Sequence, residues 1–164
     1  MCSCSLAPNL IYPWYKKIND LLSNGKISNY VDIKRNSKLN SAEKKAVELR
    51  AMKVATEWLH KRGFKTKDTS ANKPFDILAK KSDIELMVEV KGTTSHDPSA
   101  ILMTANEVKL HQDTKGHTAL AIVSAIKLQK GSTPEASDGN IEISIGWDID
   151  EWIAIPTAFK LEKS

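Results

Sequence analysis

Two short runs of alternating residues, separated by a polar turn, constrain the fold of this chain more than any other feature. In residues 84–91, apolar side chains occupy every second position, and this period of two is typical of a half-buried β-strand. Residues 75–79 alternate in the same way, and Lys81-Ser82-Asp83 supplies polar turn residues between the runs. The sequence therefore predicts an antiparallel β-hairpin.

The predicted hairpin places acidic side chains close together. Glu89 and Lys91 share one face of the second strand, and most registers of the hairpin put Asp76 beside Glu89. Like charges directly opposite each other are destabilising, so we expect a cation between the two carboxylates. A hard divalent cation such as Mg²⁺ suits this pair, because it takes one or two carboxylates and keeps waters for substrate phosphates.

These residues carry a family resemblance. Pro74-Phe75-Asp76, followed after twelve residues by Glu89-Val90-Lys91, resembles the signature of the PD-(D/E)XK nuclease superfamily. A longer pattern, over roughly residues 42–126, resembles the restriction-endonuclease-like domain at the carboxy terminus of NO VEIN-type proteins. That pattern comprises Glu48 with Ala51-Met52, Gly63-Phe64, Asp76-Ile77, Val88-Glu89-Val90-Lys91-Gly92-Thr93 and Thr104-Ala105-Asn106-Glu107. The resemblance implies an α/β fold, with a restriction-endonuclease-like mixed β-sheet flanked by helices and an α-β-β-β-α-β core.

The resemblance implies divalent-metal-dependent hydrolysis of phosphodiester bonds in nucleic acid. Of the enzymes with this activity, it points first to a DNA endonuclease. Asp76 and Glu89 would hold Mg²⁺ or Mn²⁺, with the backbone carbonyl of Val90 as a further ligand, and Lys91 would position the attacking water. The catalytic set is then Glu48, Asp76, Glu89 and Lys91. In the polar loop after Lys91, Thr93 and Thr94 are candidates for contact with a phosphate.

Two alternatives stay open for these residues. Asp76, Glu89 and Lys91 could form a solvated sheet face with an ordinary cross-strand ion pair. The domain could also be a catalytically silent nuclease-fold module that binds nucleic acid or recruits a larger complex.

Glu48 lies in a predicted helix that begins at the capping box Asn40-Ser41-Ala42-Glu43 and ends near Arg62. At 100° per residue, Glu48 falls within an otherwise apolar arc of that helix. It either reaches the metal site from the helix or forms an ion pair one turn back, with Lys44 or Lys45.

The charge of the chain is uneven. Residues 1–71 hold 14 Lys and Arg against 6 acids, and residues 72–164 hold 10 against 14. A basic front half is typical of proteins that bind polyanions. We interpret residues 1–40 as a basic and aromatic arm with a short helix, and residues 41–164 as the nuclease-like domain. Candidate nucleic-acid contacts in the arm are Lys16, Lys17, Lys34 and Arg35. Such an arm more often packs on the domain or on a partner subunit, and that is the alternative we favour.

The remaining segments give a coarser prediction. We expect a buried strand at 101–103, a capped helix from Thr104 to about Lys115, a buried central strand at 118–126, a polar loop at 129–140 and a strand at 141–145. Trp147, Trp152 and Ile153 are expected to pack the last segment onto the core.

No run of residues is apolar enough for a membrane span, and Cys2 and Cys4 lack partners at zinc-ligand spacing. We expect a cytoplasmic protein whose partner is nucleic acid, as a homodimer or within a larger complex.

Overall fold

The first helix begins and ends at the residues that the sequence predicts. The computed structural model describes residues 39–98 and 100–153, and helix α1 spans Ser41–Lys61. The Asn40 side chain accepts a hydrogen bond from the Glu43 backbone N–H, and the Glu43 carboxylate accepts one from the Asn40 N–H, both at 2.9 Å. This reciprocal capping satisfies donors that a helix start leaves open. After α1, Gly63 has a φ of +83°, a conformation that glycine adopts without strain.

Three antiparallel strands follow α1, and the last two form the predicted hairpin. Their bounds are β1 (Lys65–Asp68), β2 (Ile77–Lys81) and β3 (Ile84–Gly92). Ile77 pairs with Val88 and Lys81 with Ile84, so residues 82–83 make the turn. Phe75, Ile77 and Ala79 are buried as the period of two predicts. Ile84, which lies next to the turn at the start of β3, is 53% exposed.

The second half of the domain extends the sheet on its other side. Helix α2 (Ala105–Asp113) leads into β4 (Thr118–Gln129), which runs parallel to β3, and β5 (Glu135–Ile145) pairs antiparallel with β4. A short 3₁₀ turn, Ile149–Glu151, follows. The strand order is β1-β2-β3-β4-β5, so β4 is an internal strand, as its run of buried residues predicted. The predicted α/β fold with a mixed sheet flanked by helices is confirmed.

The two faces of the sheet differ in chemistry. Helix α1 covers one face with Val47, Ala51, Ala55 and Leu59, which pack into the main apolar core. Leu86, Val88 and Val90 of β3 belong to this core, together with Ala119, Ala121 and Val123 of β4. Since neighbouring strand residues point to opposite faces, Glu89 and Lys91 lie on the other face. A smaller cluster, formed by Leu120, Trp147 and Ile149 with Val108 of α2, packs on that second face.

Three expectations outside the hairpin were wrong. Residues 101–103 form no strand, and Leu102 is 62% exposed. The segment 129–140 is not a loop, since only residues 130–134 separate β4 from β5. Residues 135–140 belong to the edge strand β5, where Ala136 packs against the core and most of the other side chains are exposed, so a largely polar sequence can form a strand. Trp147 is buried as expected, but Trp152 and Ile153 are 42% and 51% exposed.

Among the described residues, no helix has both the length and the apolar character needed to span a membrane. The predicted arm, with Lys16, Lys17, Lys34 and Arg35, and the cysteines Cys2 and Cys4 lie outside the described residues.

Close packing of α1 against the end of β3 predicts that Gly92→Ala destabilises the fold. A Cβ at position 92 would lie 2.8 Å from the Ala51 Cβ and 3.1 Å from the Val47 carbonyl oxygen. Overpacking of this kind costs about 1–3 kcal/mol. Urea unfolding should show a lower midpoint for Gly92→Ala. Gly131→Ala is the matched control and should leave the midpoint unchanged, because no atom lies within 4 Å of its added Cβ.

Candidate metal-binding acidic site

Asp76 and Glu89 lie side by side across the hairpin. Because Ile77 pairs with Val88, the next position places Asp76 opposite Glu89. The Asp76 backbone N–H donates to the Val88 carbonyl at 3.0 Å, so the ladder continues to this residue. The Val90 backbone N–H donates to Asp76 Oδ2 at 2.8 Å and fixes the carboxylate over β3. Burial raises the pKa of Asp76, although the bond from Val90 and the charge of Lys91 oppose the shift.

Glu89 is a buried carboxylate with one free oxygen. The residue is 2% exposed, and its Oε1 lies 2.5 Å from Lys91 Nζ. Its Oε2 is buried and has no hydrogen-bond partner among the described residues. Burial raises the pKa of Glu89 to about 7, and the opposing charge of Lys91 does not cancel the effect. A buried acceptor without a partner costs about 1–3 kcal/mol, so this oxygen calls for a ligand.

Lys91 lies between two carboxylates. Its Nζ is 2.5 Å from Glu89 Oε1 and 3.0 Å from Glu107 Oε2. Burial by itself would lower the pKa of Lys91, but the charges and hydrogen bonds of Glu89 and Glu107 outweigh burial and raise it. The side chain is therefore an ammonium at neutral pH.

Glu107 is a site residue that the sequence analysis missed. It caps α2, since its Oε2 accepts from the Thr104 backbone N–H at 3.0 Å, and the same oxygen binds Lys91. Burial would raise the pKa of Glu107, but the Thr104 N–H and Lys91 lower it below its ordinary value. In the sequence, Glu107 was explained fully as part of a capping box. The signal that the sequence analysis did not use is the short stretch of chain between Lys91 and this helix. It allows the first turn of the helix to lie next to Lys91.

His111 and Trp147 form a second feature that the sequence did not predict. His111 is 1% exposed, and its Nδ1 accepts a hydrogen bond from Trp147 Nε1 at 2.9 Å. Accepting at Nδ1 leaves the proton of the neutral ring on Nε2. Burial lowers the pKa of His111, which favours this neutral form. The contact anchors α2, one turn after Glu107, against the segment that follows β5.

Glu48 is not part of the acidic site, and the expectation that it lies within the buried arc of α1 was wrong. Its side chain is 63% exposed, and its Oε2 lies 3.2 Å from Lys45 Nζ, as the ion-pair alternative predicted. The buried residues of α1 recur at every fourth position from Glu43 to Leu59. Such a row winds around the helix, because four residues advance about 40° beyond a full turn. At the level of Glu48 the sheet therefore meets Val47, and α1 as a whole packs on the face opposite Glu89.

Three other candidates lie next to the site without a defined role. The Val90 side chain packs in the core on the α1 side, and the proposal that its carbonyl binds metal stays a prediction. The Thr93 backbone N–H donates to the Val123 carbonyl at 2.9 Å, and its hydroxyl accepts from the Ser95 N–H at 3.1 Å. Thr94 is exposed in the same loop.

The acidic pair fits a hard divalent cation. Asp76 and Glu89 offer carboxylate oxygens on one face, one of them buried and unbonded, and Mg²⁺ needs only one or two carboxylates from a protein. Across residues 39–98 and 100–153, no three His, Cys, Asp or Glu side chains form a ready cage for a metal. A Mg²⁺ ion held by these two carboxylates would keep positions for water or substrate.

The raised pKa of Glu89 predicts a loss of stability as the pH rises. The unfolded residue titrates near its ordinary pKa of 4.5, whereas the folded residue titrates at about 7. Between these values the folded protein keeps a proton that the unfolded chain releases, so the free energy of unfolding falls as the pH increases through this window. Glu89→Gln, which cannot ionise, should show a smaller fall than wild type in urea unfolding from about pH 4.5 to about pH 7. Glu135→Gln, an exposed change on β5, should follow the wild type.

A family model described as Protein NO VEIN, C-terminal, matches residues 47–136. Neither the curated proteins nor the solved structures gave a match. The matched segment contains α2, the hairpin and the residues Asp76, Glu89, Lys91 and Glu107. Because it covers more than half of the chain, this protein belongs to the NO VEIN C-terminal family.

Proposed function

We propose that this protein is a nuclease of the PD-(D/E)XK type. It would use a divalent metal ion to hydrolyse phosphodiester bonds in nucleic acid, with DNA as the preferred substrate. The observation that carries the proposal is the unbonded, buried Glu89 Oε2 on the same face as Asp76. The signature Pro74-Phe75-Asp76 with Glu89-Val90-Lys91, now placed on a paired hairpin, supports it.

The charge of the site supports dependence on a metal. Asp76, Glu89 and Glu107 carry one negative charge each when ionised, and Lys91 carries the compensating positive charge. The ionised cluster is therefore net negative and repels a phosphate. Asp76 and Glu89 would hold Mg²⁺ or Mn²⁺, which when bound neutralises phosphoryl oxygens and makes water more acidic.

Lys91 acts as a fixed positive charge in this proposal. A lysine that serves as a general base needs a lowered pKa, and the two carboxylates around Lys91 raise it instead. Its ammonium would orient the water and stabilise the negative charge that develops on the phosphate. Glu107 would position Lys91, since it holds Nζ at 3.0 Å from the first turn of α2.

The proposal predicts metal-dependent cleavage that requires Asp76 and Lys91. Supercoiled plasmid and single-stranded DNA are incubated at low salt with Mg²⁺, Mn²⁺ or EDTA. Wild type should cut with metal and not with EDTA. Asp76→Asn and Lys91→Ala should each reduce the rate by about 100-fold or more, the loss typical of a removed transition-state contact.

Two variants in the same hairpin are matched controls. Asp83→Asn removes an exposed turn carboxylate, and Lys80→Ala removes an exposed lysine that pairs with Glu85. Both should cut like wild type. If no form cuts although DNA is still bound, the protein is instead a catalytically silent binding module. Cutting that persists in Asp76→Asn and Lys91→Ala would place the activity elsewhere.

The structure also predicts that Glu48 is dispensable. Its side chain points into solvent and pairs with Lys45, on the helix that covers the opposite face of the sheet. Glu48→Gln should therefore retain the wild-type cleavage rate in the same plasmid assay. A loss comparable to that of Asp76→Asn would mean that α1 rearranges when substrate binds.

One site of this kind cuts one strand, so cleavage of both strands of a duplex would need a second copy. We propose a homodimer, or association with a larger complex, for that activity. Sedimentation of the full chain with and without DNA tests this part of the proposal.

A further inference from the structure

A cavity of about 280 Å³ lies on the same face of the sheet as the acidic site. Leu120, Ile122 and Ser124 of β4 form its floor together with Glu142 and Ser144 of β5, and residues 96–98 and Trp152 complete the lining. The volume suits one planar aromatic group. None of these residues belongs to the proposed catalytic set.

The register of the sheet fixes how far the cavity lies from the acidic pair. Leu120 pairs with Glu89 on one side and with Ser144 on the other, and Ile122 pairs with Lys91 and Glu142 in the same way. Neighbouring strands lie roughly 4.8 Å apart. The floor therefore begins on β4, one strand away from Glu89, and ends on β5, about 10 Å from Glu89. A strand of nucleic acid with a phosphate at Asp76 and Glu89 has a nearby base within reach of this floor.

Trp152 gives the cavity an aromatic wall with a fixed orientation. Its ring meets the Trp147 ring in a T-shaped contact, with centroids 5.8 Å apart and an angle of 87°. Trp147 is 8% exposed and is itself bonded to the buried His111. Trp152 remains 42% exposed, although a ring of this size would be expected to be covered. An oriented and accessible indole is a platform on which a base can stack.

Two carboxylates give the cavity its polarity. Across residues 39–98 and 100–153, neither the Asp97 nor the Glu142 carboxylate forms an ion pair or a hydrogen bond. Carboxylates repel phosphate, so the sugar-phosphate backbone is not the group that enters. They accept hydrogen bonds from exocyclic amino groups, which adenine, cytosine and guanine carry and thymine lacks.

We propose that this cavity binds one unpaired, amino-bearing base of the nucleic-acid strand whose phosphodiester lies at Asp76 and Glu89. The base stacks on Trp152, and its amino group donates to Asp97 or Glu142. This inference rests on the proposed function and deepens it. A base inside a duplex cannot reach such a cavity, so the substrate is single-stranded at this position or presents a base turned out of its helix.

Binding of labelled oligonucleotides tests the proposal separately from cleavage. Fluorescence anisotropy of the full chain is measured at low salt with Ca²⁺, a divalent cation that carboxylates bind, using single-stranded oligo-dC and oligo-dT of equal length. Wild type should bind oligo-dC more tightly. Trp152→Ala should weaken oligo-dC binding by roughly ten-fold, within the range for loss of one stacked base, and Trp152→Phe should restore most of it. Equal affinities of wild type, Trp152→Ala and Trp152→Phe for oligo-dC would overturn the proposal.

The carboxylates give an independent readout. Glu142→Gln and Asp97→Asn should reduce the ratio of oligo-dC to oligo-dT affinity, because they remove acceptors for the amino group. If these variants instead raise both affinities by the same factor, the carboxylates only repel phosphate and the proposal fails. Glu135→Gln makes the same charge change on β5 outside the cavity, and it should leave the ratio unchanged.

Failure of this proposal can be told apart from failure of the proposed function. Metal-dependent cleavage that requires Asp76, with no effect of Trp152 or Glu142 on oligonucleotide binding, keeps the nuclease and overturns the base site. Oligo-dC binding that requires Trp152, without cleavage by any form, keeps the base site and overturns the nuclease. Absence of both binding and cleavage overturns both.

Discussion

The buried ion pair between Glu89 and Lys91 is the interaction on which the described site depends. A carboxylate that is 2% exposed needs a nearby positive charge, and Lys91 Nζ supplies it at 2.5 Å. Lys91 is held in turn by Glu107, and Glu107 by the Thr104 backbone at the start of α2. The site therefore links β3 to α2 as well as forming a ligand set.

The alternation of β3 separates stability from chemistry. Val88 and Val90 face α1 and belong to the main core, whereas Glu89 and Lys91 face α2. A slip of one residue in the register would exchange the two sets, placing charges in the core and valines in the site. The close approach of Gly92 to Ala51, where an added Cβ would lie at 2.8 Å, resists such a slip. The same packing that stabilises the fold thus fixes the position of the carboxylates.

In the functions that we propose, the second face of the sheet is divided between two tasks. The hairpin holds the metal and phosphate near Asp76 and Glu89, and the β4 and β5 side reads a base against Trp152. The parallel pairing of β3 with β4 places these two regions in adjoining rows, with Leu120 next to Glu89. His111 and Trp147 join them, because one hydrogen bond anchors both α2 and the neighbour of Trp152. Phosphodiester hydrolysis and base binding would then take place on the same face of one sheet.

The sequence by itself determined the local features: the capped helices, the hairpin with Asp76 beside Glu89, and the buried strand β4. Each depends on a short-range pattern, either a capping box or a periodicity, that can be recognised without knowledge of the rest of the chain. Only the tertiary structure decided that Glu48 faces solvent and that Glu107 belongs to the site. For Glu48, the reason is that the row of buried residues winds around the helix, so the packing partner decides which positions are covered. For Glu107, the reason is that its contact with Lys91 joins residues 16 positions apart in the chain. Packing between helices and strands decides which side chains lie together, and a local sequence pattern does not carry that information.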